Sequence, residues 1–244
     1  MKTLKSFFIF VWMVPVALVS LALSPIPVLA LPLTIGLDTE FSGAQAPSSP
    51  FTPWLTATFI DNTDGTVVLK MEATNLTGSE FVSDWYLNLD PNLAVTSLTF
   101  TYDTYYSSVQ ATSFLTGSNA FKADGDGYFD IKFSFDTASV STRFGEDDYS
   151  VYVISGIPGL TASSFNFYSA PGGGNGSYRS AAHVQGIDDP NSPGIDTDGS
   201  GWIGDGDTGG GNPPVPEPAT MLLVGSGLVG LAGIRRKKFF KKIS

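Results

Sequence analysis

Tyr128-Phe129-Asp130-Ile131-Lys132-Phe133-Ser134-Phe135-Asp136 places Phe129, Ile131, Phe133 and Phe135 on one side of an extended chain, with Asp130, Lys132 and Ser134 opposite. Strict alternation of aromatic and β-branched residues with polar ones is the pattern of a half-buried strand. Working outward, Trp54 to Ile60 alternates Leu55, Ala57 and Phe59 with threonines, and Thr66 to Ala73 alternates Val67, Leu69 and Met71 with Lys70 and Glu72. Asp64-Gly65 between these two runs is a hairpin signal. Further strands are read over Phe81 to Leu89, Val95 to Tyr102, Ser150 to Ile154 and Leu160 to Tyr168, with a first one over Leu33 to Phe41. No stretch of the body keeps helical spacing. Short strands with turn chemistry between them predict an all-β fold, a single antiparallel β-sandwich with jelly-roll order among its options.

Charge is split along the chain. Only Lys70, Lys122, Lys132, Arg143 and Arg179 of the 13 Lys and Arg lie in the body, while nearly all of the 23 Asp and Glu do. The body is therefore more acidic than the overall formal charge of -10, and an acidic surface repels phosphate backbones, so nucleic acid is not an expected partner. There is no cysteine and one histidine, His183. Disulfides, thiolate metal sites and cysteine nucleophiles are excluded, and most histidine chemistry with them.

Both ends read as processing segments. Lys2 and Lys5 precede the apolar run Phe7 to Leu23, then Pro25 and Pro27, then Val28-Leu29-Ala30. That order predicts a secretory signal over residues 1–30, cleaved by signal peptidase after Ala30, with an uncleaved anchor as the alternative. The expected division is a body over 31–189, a Gly/Asp/Pro-rich linker over 190–214 and a terminal segment over 215–242. Val215-Pro216-Glu217-Pro218 opens that segment, the apolar stretch Ala219 to Ile234 follows, and Arg235, Arg236, Lys237, Lys238, Lys241 and Lys242 close it. As a helix the apolar stretch rises roughly 24 Å, which barely crosses a bilayer core of about 30 Å. Four glycines weaken its hold, and Ser226 and Gly230 offer a close-packing face. The basic cluster keeps to the cytoplasmic side, leaving the body outside.

A proline-framed glutamate, a glycine- and leucine-rich apolar helix and an Arg/Lys cluster, in that order, resemble the PEP-CTERM sorting signal. The resemblance implies an integral-membrane exosortase that cuts at or near the motif, with Val215, Pro216, Glu217 and Pro218 acting as the recognised substrate. It further implies export, a transient anchor in the inner membrane and a destination at the cell surface or in an extracellular matrix. Bodies that carry such a signal are diverse, so the resemblance leaves the body's role open. Ala181 to Ile187 and Gly199 to Trp202 resemble stretches in some of those bodies, which would make Trp202 part of the fold.

Within the body, Asp124-Gly125-Asp126-Gly127-Tyr128-Phe129-Asp130 sets carboxylates at alternate positions on a glycine turn. Asp124, Asp126 and Asp130 are candidate calcium ligands, against the alternative of a plain hairpin turn. Asp196-Thr197-Asp198 and Asp205-Gly206-Asp207 repeat that chemistry and read as solvated linker. Tyr105 and Tyr106 are candidate contacts for sugar rings, against ordinary strand-end packing. His183 sits in an apolar run with no recognisable nucleophile elbow, and reads as a core or edge residue. These observations favour a non-enzymatic surface or extracellular-matrix protein, structural or adhesive in a biofilm and exopolysaccharide setting. The alternatives are a calcium-assisted carbohydrate-binding module and, behind it, a secreted hydrolase with paired carboxylates.

Overall fold

The alternation becomes two curled antiparallel sheets that share one core, in a computed structural model describing residues 31–174, 176–188 and 199–206. The first sheet runs in the order β1 (Leu33–Leu37), β3 (Leu55–Asp61), β4 (Val67–Glu72), β10 (Tyr149–Ser155) and β6 (Thr99–Tyr102). The second is built around β8 (Gly127–Ser134). β7 (Ser113–Ala123) pairs along one edge of β8, while β5 (Phe81–Leu87) and the short β11 (Ala170–Pro171) share the other. Beyond β5 come β12 (Ser180–Ile187), β13 (Gly199–Gly204) and β2 (Thr39–Glu40), and β9 (Phe144–Gly145) also pairs with β5. The signal-peptide and C-terminal helix expectations lie outside the described residues.

Register fixes the inner faces. Phe59 faces Leu69, Ala57 faces Met71, and Tyr152 faces Leu69 from the other side, all fully or nearly fully buried. Across the core, Ile131, Phe133, Trp85 and Val184 come from the second sheet. A one-residue slip of any of these strands would turn its apolar set to water, so the pattern specifies the pairing. The β3–β4 turn is the one read from Asp64-Gly65. Gly65 takes a φ of +82°, and the Asp64 carboxylate accepts the Thr66 N–H at 3.0 Å and its hydroxyl at 2.7 Å.

The strand expected over Val95 to Tyr102 opens with a 3-10 turn at Val95–Ser97, and the one expected over Leu33 to Phe41 splits into β1 and β2 of different sheets. Three more segments depart from the sequence reading. Leu160 to Tyr168 is not a strand but a 3-10 turn at Ala162–Phe165. Thr161 and Ser164 cap it reciprocally, the Asp61 carboxylate accepts the Ala162 N–H, and Phe165 stacks on Phe59 at 4.5 Å. β7 was not expected, because Gly117, Ser118 and Asn119 interrupt its pattern; the structure absorbs them in a bulge between Thr116 and Phe121. The third departure corrects the linker boundary. Residues 199–204, placed in a linker over 190–214, form β13 between β12 and β2.

Glycine misled the reading there. A Cβ on Gly201 would lie 2.0 Å from the Gln45 carbonyl oxygen, so glycine marks close approach and not slack chain. Ile203 enters the core, and Asp205, read as solvated, is 1% exposed. Its carboxylate takes the Arg179 Nε at 2.7 Å and the backbone N–H groups of Arg179 and Ser180. Burial pushes the Asp205 carboxyl up from its ordinary range, and Arg179 opposes that push. Removing one member of a buried pair strands the other, so Asp205→Ala should cost about 3 kcal/mol of folding stability. Urea unfolding checks this; an unchanged midpoint would return residues 199–206 to the linker.

Candidate functional sites

The loop from β6 to β7 positions Tyr105 and Tyr106. Asp103 Oδ1 accepts the N–H groups of Tyr105 at 2.9 Å and Tyr106 at 3.1 Å, an Asx turn that throws both side chains outward. Their rings meet edge to face at 4.7 Å and are 82% and 62% exposed. Past them the loop is pinned to both sheets. Ser108 donates its N–H and hydroxyl to the Tyr149 carbonyl, the Ala111 N–H donates to the Tyr152 hydroxyl at 2.8 Å, and the Thr112 N–H donates to the Ser134 carbonyl at 2.8 Å. Burial raises the Tyr152 phenol, which keeps that anchor protonated.

The loop leaving β8 stands opposite. Asp136 accepts the Ala138 N–H and the Thr142 hydroxyl, Thr142 first among the causes that hold its carboxyl below the ordinary range. Between the two loops lies an open groove of about 480 Å³. Ser108, Gln110, Thr112, Ser141 and Thr142 line it with exposed polar groups, and Val109 and Ala111 are buried along its floor. Sequence reasoning singled out Tyr105 and Tyr106 but not these residues. Their two segments are some 25 positions apart and carry no motif, so only the pairing of β8 with β7 reveals them.

The three candidate calcium ligands are not brought together. Asp124, at φ +48°, and Gly125 form the β7–β8 turn, closed by the Asp126 N–H donating to the Ala123 carbonyl. Asp126 is packed beneath Gly172 and Gly174. Asp130 holds the β7 bulge instead, accepting the Asn119 N–H at 2.7 Å through one oxygen and the Leu89 N–H at 3.1 Å through the other. Among the described residues no set of three or more His, Asp or Glu is grouped to hold a metal ion.

His183 lies on the outer face of the second sheet, where Tyr86, Ala123, Phe129, Tyr178 and Ala181 make a smaller apolar cluster. Phe129 keeps the parity of core-facing Ile131 yet packs on Tyr86 at 5.7 Å, so β8 coils and carries its hairpin end over this face. The His183 ring is stacked on Trp202 at 4.7 Å, with Nδ1 3.0 Å from the Ser83 hydroxyl oxygen. Asp84 beside it pairs with Lys132 at 3.0 Å and accepts the Ser134 hydroxyl.

Burial lowers the His183 pKa from 6.5, Asp84 and Asp124 oppose this, and Lys132 adds to it. The unfolded chain therefore takes the proton first, and the contribution of His183 to stability is lost as pH falls below the unfolded value. Between about pH 7.5 and 5.5 the urea midpoint of the native protein should fall further than that of His183→Gln. Equal falls would show that the imidazole does not titrate differently on folding.

Val215, Pro216, Glu217 and Pro218 lie outside the described residues. No curated protein and no solved structure matches the chain. A family model described as the PEP-CTERM protein-sorting motif matches residues 214–237, so the chain carries that sorting signal, the mark of an exported protein transiently held in the membrane by its C-terminus and processed by an exosortase.

Proposed function

We propose that the body is a non-enzymatic component of the cell surface or extracellular matrix, structural or adhesive in an exopolysaccharide setting, delivered there by exosortase processing. The observation that carries this reading is the sorting motif at residues 214–237 joined to an acidic all-β body. An acidic surface resists collapse onto other polyanions and stays solvated where macromolecules crowd. The body is read as a β-sandwich, residues 1–30 as a secretory signal removed by signal peptidase, and residues 219–234 as the temporary membrane helix.

Glu217→Ala in the producing cell tests the processing step. The native chain is expected as a body trimmed at both ends by intact mass and held with the extracellular matrix. The variant is expected to accumulate in the membrane with its basic tail attached. A native body that is shed quantitatively into the medium, with no binding to cells or matrix, would sink the structural and adhesive reading.

A further inference from the structure

We propose that the groove between residues 108–112 and 136–142, with the exposed Tyr105–Tyr106 pair in the loop leading into it, binds an uncharged oligosaccharide. The proposal rests on the reading of the body as an adhesive surface component, and names the partner and the place.

Size admits a small ligand. The groove of about 480 Å³ falls within the roughly 300–1,000 Å³ of such sites. Its chemistry narrows the class. The Ser108, Thr112 and Thr142 hydroxyls donate to the Tyr149 carbonyl, the Ser134 carbonyl and Asp136, so they present acceptor oxygens, while the Gln110 amide both donates and accepts; a polyol, whose every oxygen does both, matches that mixture. Along the floor burial alternates, with Val109 and Ala111 inward and Ser108, Gln110 and Thr112 exposed. The Cα atoms of these three residues are therefore at most about 7 Å apart from one to the next, a short ladder of polar positions along the groove. Asp136 adds an acceptor whose position is fixed by the Ala138 N–H and the Thr142 hydroxyl.

Charge selects against anionic glycans. No Lys or Arg lines the groove, its one charged group is Asp136, and the surrounding body is acidic. Tyr106 stands two residues from Ser108, so their Cα atoms lie within about 7 Å of each other. An exposed aromatic pair beside a row of hydroxyl groups offers the apolar face of a pyranose a surface while its oxygens are satisfied alongside. A second cavity, of about 240 Å³, lacks this character. Arg143, Glu146 and Asp148 charge its walls, and the Glu80 carboxylate within it already takes the N–H groups of Ser48 and Thr77.

Titration calorimetry of the full chain in detergent, with cellohexaose, maltohexaose, mannohexaose and hexagalacturonate as probes, tests the proposal. At least one uncharged hexasaccharide is expected to bind, and hexagalacturonate is not. Ser141→Trp, which fills the groove from an exposed position, and Tyr105→Ala with Tyr106→Ala should each weaken binding roughly tenfold or more. Native melting temperatures in these variants would show that the fold is kept, and Gln110→Ala gives a third, smaller lesion in the same ladder. Absence of binding by every uncharged probe, variants that bind as the native chain does, or a preference for hexagalacturonate would each overturn it. Matrix retention without glycan binding sinks the groove and leaves the surface-component reading standing; glycan binding by a body shed into the medium does the reverse.

Discussion

A strand hydrogen-bonded on both edges has no freedom of register, and β8 is held that way between β7 and β5. Ser134 faces Ser113 on one side and Asp84 on the other; Ile131 faces Thr116 and Leu87. With register fixed, the period of two decides which side chains meet the first sheet. Phe133 then touches Phe100, Phe114 and Tyr152, rings contributed by β6, β7 and β10. The same strand places the surface features. Its C-terminal end receives Thr112 and leads into Asp136, which makes the groove, and its N-terminal end is the Asp124-Gly125-Asp126 turn.

That double pairing also accounts for the contacts that Asp130 makes. A bulge and a strand end each leave a backbone N–H without a ladder partner, and an acceptor on the neighbouring strand can supply one. Asp130, on the polar parity of β8, reaches across to Asn119 in the bulge and to Leu89 past the end of β5. From sequence, its spacing after Asp124 and Asp126 suggested ligation. In the fold, the demand of the backbone for acceptors takes precedence.

What the sequence made legible follows the same logic. β3, β4 and β8 could be read residue by residue because each buries one face only, so composition and period agree. β12 was harder. Ala181, Ala182, Val184 and Ile187 are buried on both faces, since the β7–β8 hairpin covers the side that a two-layer fold would leave wet. Periodicity hid β13 for the opposite reason, since three of its six residues are glycines packed against Gln45 and Tyr178; only the resemblance over Gly199 to Trp202 put Trp202 in the fold. Tyr105 and Tyr106 were legible as aromatic residues in a loop. The groove beside them depends on two segments meeting through sheet topology, which no local pattern encodes.

The chain divides its labour between a tail that carries an address and a body that must survive losing it. Processing at the 214–237 motif removes residues C-terminal to the body, and a strand at the chain's end is the element most exposed to fraying when the chain is cut. β13 is the last strand among the described residues, and it lies between β12 and β2 with Ile203 in the core. Asp205, just beyond it, is locked to Arg179 and to the start of β12. The staple therefore sits on the body side of the motif, and a cut at residue 214 or later leaves every one of these contacts in place. The buried ion pair, an expensive choice beside an apolar contact, is justified at this position because it ties down backbone N–H groups of Arg179 and Ser180 together with the last strand.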